Sequence, residues 1–160
     1  MKPNTVGRSH GDTAVMPAME EIGLCADSII LTLNGETRVR DLRPGARVIT
    51  RDSGTATLRG VDRRSTICRA VHIRAGSLGH TRPEHDVTLP AAQPILVRDW
   101  RAQALFGADR AMVPAERLID GEFVTLQPEQ AFDLFHLAFD RPHILYVDGL
   151  ELASVVQSAE

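Results

Sequence analysis

Cysteine, histidine and carboxylate side chains carry most of the chemistry this chain has to offer. Its 160 residues include two cysteines, Cys25 and Cys68, and six histidines, among them His72, His80, His85, His136 and His143. A thiol near an imidazole is minimal equipment for attack on a carbonyl, because the ring takes the thiol proton and returns one to the leaving group. His80 and His85 form a His-x4-His pair, but a zinc motif needs a second tight pair, and none accompanies them. Of the 18 basic residues only Lys2 is a lysine, which argues against Schiff-base, pyridoxal and P-loop-lysine chemistry. GxxxxGKS and GxGxxG fingerprints are absent. No cofactor and no metal is therefore expected. Two cysteines are too few for a disulfide framework, although one bridge between them stays open. A net charge of −3 and a pI near 6.1 argue against a nucleic-acid partner. The first residues hold Glu20 and Glu21 and lack a long apolar run, so they do not read as a secretory signal. No stretch approaches the roughly 20 apolar residues of a membrane helix. A cytoplasmic protein is the default expectation, with export by a route that reads another signal left open.

The elements that must position these groups read as strands. Hydrophobic residues make up 43% of the chain and aromatics only 4%, so the core must be aliphatic. Ser28–Leu33 and Thr37–Val39 flank Asn34-Gly35, a strong hairpin signal. Val48–Thr50 and Thr55–Leu58 flank Asp52-Ser53-Gly54, and Ala70–Arg74 alternates as a half-buried strand should. Val87–Leu89, Ile95–Val97, Phe135–Leu137 and Ile144–Val147 complete roughly nine short strands, the pattern of an all-β sandwich or barrel. Pro114–Gly121 predicts one short helix, with Pro in its first turn and Gly just past its end. Asp62-Arg63-Arg64 reads as a solvated turn, and Arg98-Asp99-Trp100-Arg101 as a strand end with the Trp packed under the helix. Residues 1–21, broken by Pro3, Gly7, Ser9, Gly11 and Asp12, read as a loose leader, and 156–160 as a tail.

The order of these segments adds a family resemblance. Residues 23–49, GLCADSIILTLNGETRVRDLRPGARVI, resemble the opening of a Hint (Hedgehog/intein) domain: a small-acidic-hydroxyl triplet, a strand, a Gly turn, and a DLRPG loop before the next strand. Val71–Gly79, Trp100-Arg101, Leu105–Asp109 with Val113–Ala115, and Phe135–Arg141 are similar to the bacterial Hint subgroup. The resemblance covers about residues 22–155. It implies an all-β, horseshoe-like fold of many short strands with one or two short helices. It also implies self-processing, in which a Cys at the first position attacks the preceding carbonyl and a Thr/Ser-x-x-His motif assists.

Matched residue by residue, the needed groups are displaced. The family's nucleophile position falls on Gly23, and Cys25 takes it only if two residues are deleted before Asp27. The hydroxyl and His of the assisting motif fall on Pro90 and Gln93, and Gln cannot shuttle a proton near neutral pH. The C-terminal histidine position falls on Pro142, with His143 one step away and so on the opposite face of a strand. His136 matches the subgroup's His-Leu-x-x-Asp-Arg pattern. Cys25, Gln93, His136 and His143 are thus the candidate site residues. No Asn closes the domain, which argues against splicing. The resemblance leads to a Hint domain that has lost most or all of its self-cleavage and is kept as a structural or peptide-binding module. Its partner would be its own leader or another peptide. The alternative is an active cysteine autoprotease cutting the Leu24–Cys25 bond with His136 or His143 assisting.

Overall fold

The computed structural model describes residues 22–79 and 81–154, so the leader, His80 and the tail lie outside the described residues. Twelve strands and one α-helix are found among them. A four-stranded antiparallel sheet runs in the order β1 (Leu24–Cys25), β10 (Val124–Ala138), β6 (Gly60–Ile73), β7 (Val87–Pro90). A larger sheet runs β3 (Gly35–Arg38), β2 (Ile29–Thr32), β4 (Arg47–Thr50), β11 (Ile144–Val147), β12 (Leu150–Ala153), β8 (Pro94–Val97), β9 (Ala111–Pro114), with β5 (Gly54–Thr57) beside β4. The all-β architecture is as the sequence predicts.

Between them lies the aliphatic core that the composition requires. Ile30, Val48, Leu58, Ile73, Ile95, Leu145 and Leu150 are buried in it, and Phe135 is the one aromatic among the described buried residues. Each such aliphatic side chain contributes about 1.5–3 kcal/mol when fully buried.

Turn chemistry fixes the hairpins. Asp148 and Gly149 both have positive φ (54° and 81°) and join Val147 to Leu150, the geometry that matches strand twist in a two-residue hairpin. Gly149 is also required by space, since a Cβ there would lie 2.7 Å from Glu84 Cγ and 2.9 Å from Glu84 N. The Asn34-Gly35 hairpin forms one residue earlier than expected. Thr32 pairs with Gly35, leaving Leu33 and Asn34 at the corner. Thr32 Oγ1 explains the shift: it accepts the Asn34 N–H at 3.1 Å and donates to the Gly35 carbonyl at 2.8 Å.

Three expectations are corrected. Asp62-Arg63-Arg64 is not a turn but the outer half of β6, where Arg63 pairs with Asp133 across the ladder. β6 and β10 are 14 and 15 residues long, with a register shift between Gln127 and Gln130. Their middles are exposed and polar, so no alternation marks them. The predicted helix over Pro114–Gly121 is a single 3-10 turn, Ala115–Leu118, because Ile119 is extended and the Asp120 and Gly121 N–H groups bond the Val124 carbonyl instead of continuing a helix. The helix lies elsewhere, at α1 (Trp100–Phe106), with Asp99 accepting the Arg101 N–H at its start and Gly107 left-handed at its end. Trp100 is 66% exposed rather than packed beneath a helix.

Candidate functional site

The two sheets bring residues 22–23 against one glutamine and one histidine. β1 pairs with β10 in the register Leu24 to Phe135 and Cys25 to Leu134, which sets the preceding residues beside His136. The Gly23 N–H donates to Gln93 Oε1 at 3.0 Å. Gln93 is fully buried at the turn before β8, and its Nε2 donates to the carbonyls of Pro94 and Ala153, each at 3.0 Å. Every acceptor around the amide nitrogen is a carbonyl, so the orientation of the side chain is fixed. On the other side of the same peptide, His136 Nε2 lies 2.5 Å from the Ile22 carbonyl oxygen. A carbonyl only accepts, so His136 carries its proton on Nε2. The Ile22–Gly23 peptide is therefore gripped at both ends, oxygen by His136 and nitrogen by Gln93.

This geometry polarises a carbonyl, and the position that follows it carries no nucleophilic side chain. Gly23 offers no side chain, and none fits. A Cβ would stand 2.9 Å from Leu134 Cβ and 3.0 Å from His136 Cδ2, so β10 itself would have to move. Gln93 accepts from the peptide nitrogen and has no proton to pass to a departing amine.

Cys25 is set apart from this clamp. Its Sγ approaches the Thr88 carbonyl at 3.9 Å. Burial first, and then the charges of Asp148, Cys68 and Asp27, push its thiol up to about 12, so it stays protonated at neutral pH. His85 lines the same cleft, yet its ring nitrogens face the Asp86 carbonyl (3.0 Å) and Asp148 Oδ1 (3.5 Å). The Leu24–Cys25 peptide lies within the β1–β10 ladder. No disulfide joins Cys25 and Cys68.

His143 occupies a third location. It is buried just before β11, its N–H donating to Ser154 Oγ and its carbonyl accepting the Ser154 N–H, both at 2.9 Å. Nδ1 faces Asp52 Oδ2 at 3.1 Å, while Asp52 Oδ1 accepts the Ile144 N–H at 3.0 Å. Burial works against the Asp52 anion, but the bonds from Ile144 N–H, its own backbone and His143 outweigh it and hold the carboxyl below its ordinary range. The clamp and this pair are linked at the end of β12, where Ala153 accepts from Gln93 and the next residue, Ser154, meets His143. Sequence reasoning missed Asp52, which reads as a turn residue. Among the described residues no group of three His, Cys, Asp or Glu is arranged to hold a metal ion.

Solved structures with the same architecture share little sequence. A bacterial intein-like domain from Clostridium thermocellum is 15% identical, with a TM-score of 0.54, over 83% of this chain and 98% of that one. A DnaB intein from Synechocystis sp. PCC 6803 is 11% identical, with a TM-score of 0.57, over 84% of this chain and 99% of that one. At such identities the likeness speaks for the fold alone. No curated protein matches the chain. The family model described as the Hint domain matches residues 22–159, a stretch that includes every described residue. The chain belongs to the Hint domain family, whose fold is shared by inteins.

Proposed function

We infer that this Hint domain holds the peptide at its ancestral cleavage junction without breaking it, and serves as a peptide-holding module. The observation that carries this reading is the two-sided grip on Ile22–Gly23 at a position with no nucleophile and no room for one. Losing the nucleophile and the proton shuttle together removes nearly all rate, since such groups act as a unit. The leader, which is joined to this grip at Ile22, is the natural occupant, and a partner peptide presenting a glycine after an aliphatic residue would satisfy the same two bonds. The cysteine-protease alternative is disfavoured by the protonated, base-less Cys25 and by the regular ladder around its peptide bond.

Intact mass of the full chain, before and after prolonged incubation with thiol, is the decisive measurement. The full-length mass is expected throughout, and Gly23→Cys is expected to lower stability without starting cleavage, because its side chain displaces Leu134. A fragment beginning at Gly23 or Cys25, growing with thiol, would overturn the reading.

A further inference from the structure

His143, held by Asp52, lines a pocket that the peptide grip does not use. Its volume is about 230 Å³, smaller than the pockets that take drug-sized molecules, which start near 300 Å³. Its walls carry the hydroxyls of Ser53, Thr55 and Thr57 together with Arg59, Arg141 and His143. Little of this lining is apolar.

His143 is locked in place by Asp52 on Nδ1 and by Phe139, whose ring meets it edge-on at 5.4 Å. Its Nε2 is buried and has no hydrogen-bond partner. The nearest carboxylate oxygen, Asp140 Oδ1, is 3.8 Å away, beyond hydrogen-bonding range. A buried polar atom left unmatched in a pocket of otherwise polar groups marks a place where something polar belongs. With Nδ1 donating to the Asp52 carboxylate, the tautomer that carries its one proton there leaves Nε2 as an acceptor without a donor.

The arginines define the rest of the ligand. Among the described residues neither Arg59 nor Arg141 pairs with a carboxylate, and Arg141 Nη2 donates only to Ser53 Oγ at 2.6 Å. The Asp52 charge is already engaged by His143 and the Ile144 N–H, which leaves Asp140 as the lone acidic group facing two guanidinium ions. The pocket is thus positive, small, and rich in hydroxyls. It also asks for one O–H donor beside several anionic oxygens.

We propose that this pocket binds hydrogen phosphate, with Arg59 and Arg141 on its anionic oxygens and His143 Nε2 accepting its P–O–H. Guanidinium forks match phosphate oxygens, and the threonine hydroxyls either donate or accept. Carboxylate and sulfate are anions of similar size, but at neutral pH they bring no proton to Nε2.

The test is titration of the full-length protein with inorganic phosphate at neutral pH and constant ionic strength, read from the His143 ring resonances by NMR. A saturable shift is expected, with acetate and sulfate at least about tenfold weaker, the size of one lost hydrogen bond to a charged group. The exposed Arg59→Gln and Arg141→Gln changes together should weaken phosphate by more than tenfold, while Arg117→Gln on the 3-10 turn should not. Phenyl phosphate, which is largely without a P–O–H at this pH, separates the free ion from a phosphoester. Weaker binding of the ester supports the free ion, and equal or tighter binding overturns the role given to the P–O–H. Absence of a saturable shift, indifference to the arginine changes, or sulfate binding as tightly as phosphate would each overturn the site. None of these outcomes depends on whether the chain cleaves itself.

Discussion

Two buried histidines, His136 on β10 and His143 just before β11, are opposites in how their rings are used. His136 points Nε2 at a backbone carbonyl and ends there, one half of a closed set of bonds with Gln93 completing the other half. His143 has its Nδ1 fixed by a carboxylate and its Nε2 unmatched. The first arrangement is that of a holding device: every polar atom that touches the Ile22–Gly23 peptide is satisfied. The second is that of an orienting pair with a vacant acceptor. Burial alone does not make a histidine chemically available; what the second nitrogen faces decides it.

The largest effect is expected on the closed side. Gln93→Leu leaves the Gly23 N–H and the Pro94 and Ala153 carbonyls without partners at once. At about 1–3 kcal/mol for each buried group left unpaired, a total loss of at least roughly 3 kcal/mol is expected, read as a fall in the urea midpoint. A loss no greater than that of the next variant would break the contrast between a closed and an open corner.

Asp52→Asn comes next, at about 1–2 kcal/mol near neutral pH, because one charge-assisted bond goes while an acceptor remains. Its pH signature is more telling. Asp52 has its folded-state pKa depressed, so the stability it contributes is fully present above its unfolded value of about 3.9 and is lost as pH falls through the lower folded value. The gap between the natural protein and Asp52→Asn should therefore be constant above about pH 5 and close below pH 4. A gap that persists unchanged in acid would show that Asp52 acts by shape rather than by charge.

The smallest effect is expected at Cys25. Its thiol, raised to about 12, should resist iodoacetamide at neutral pH while the chain is folded and react once it is denatured, as counted by mass. Cys25→Ser should change stability by less than about 1 kcal/mol. Fast alkylation of the native thiol would return it to the list of nucleophiles and sharpen the contrast into one of three sites rather than two.

How much of this was legible in the sequence depends on the range of the interactions involved. Short alternating runs and Asp148-Gly149 announce strands and a turn because their causes lie within a few residues. The middles of β6 and β10 do not, since exposed ladder residues such as Arg63 and Asp133 are fixed by each other across 70 positions. The helix at Trp100–Phe106 had its signals in place, Asp99 before and Gly107 after, but only seven residues to show a period. At the site, family matching located Gly23, Gln93 and His136 without their geometry. It gave no sign that Gln93 would serve three backbone groups, nor that Asp52, one residue of a turn pattern, would orient His143.

The three bonds of Gln93 have a mechanical consequence. Gly23 near one end of the described residues and Ala153 near the other are joined through a single amide side chain. Tension applied between the leader and the tail would run along the shortest path, from Gly23 across that amide to Ala153, before it stretched either sheet. The domain would behave as a clasp: stiff until one glutamine lets go, and only then drawing β1 and β12 out of their sheets.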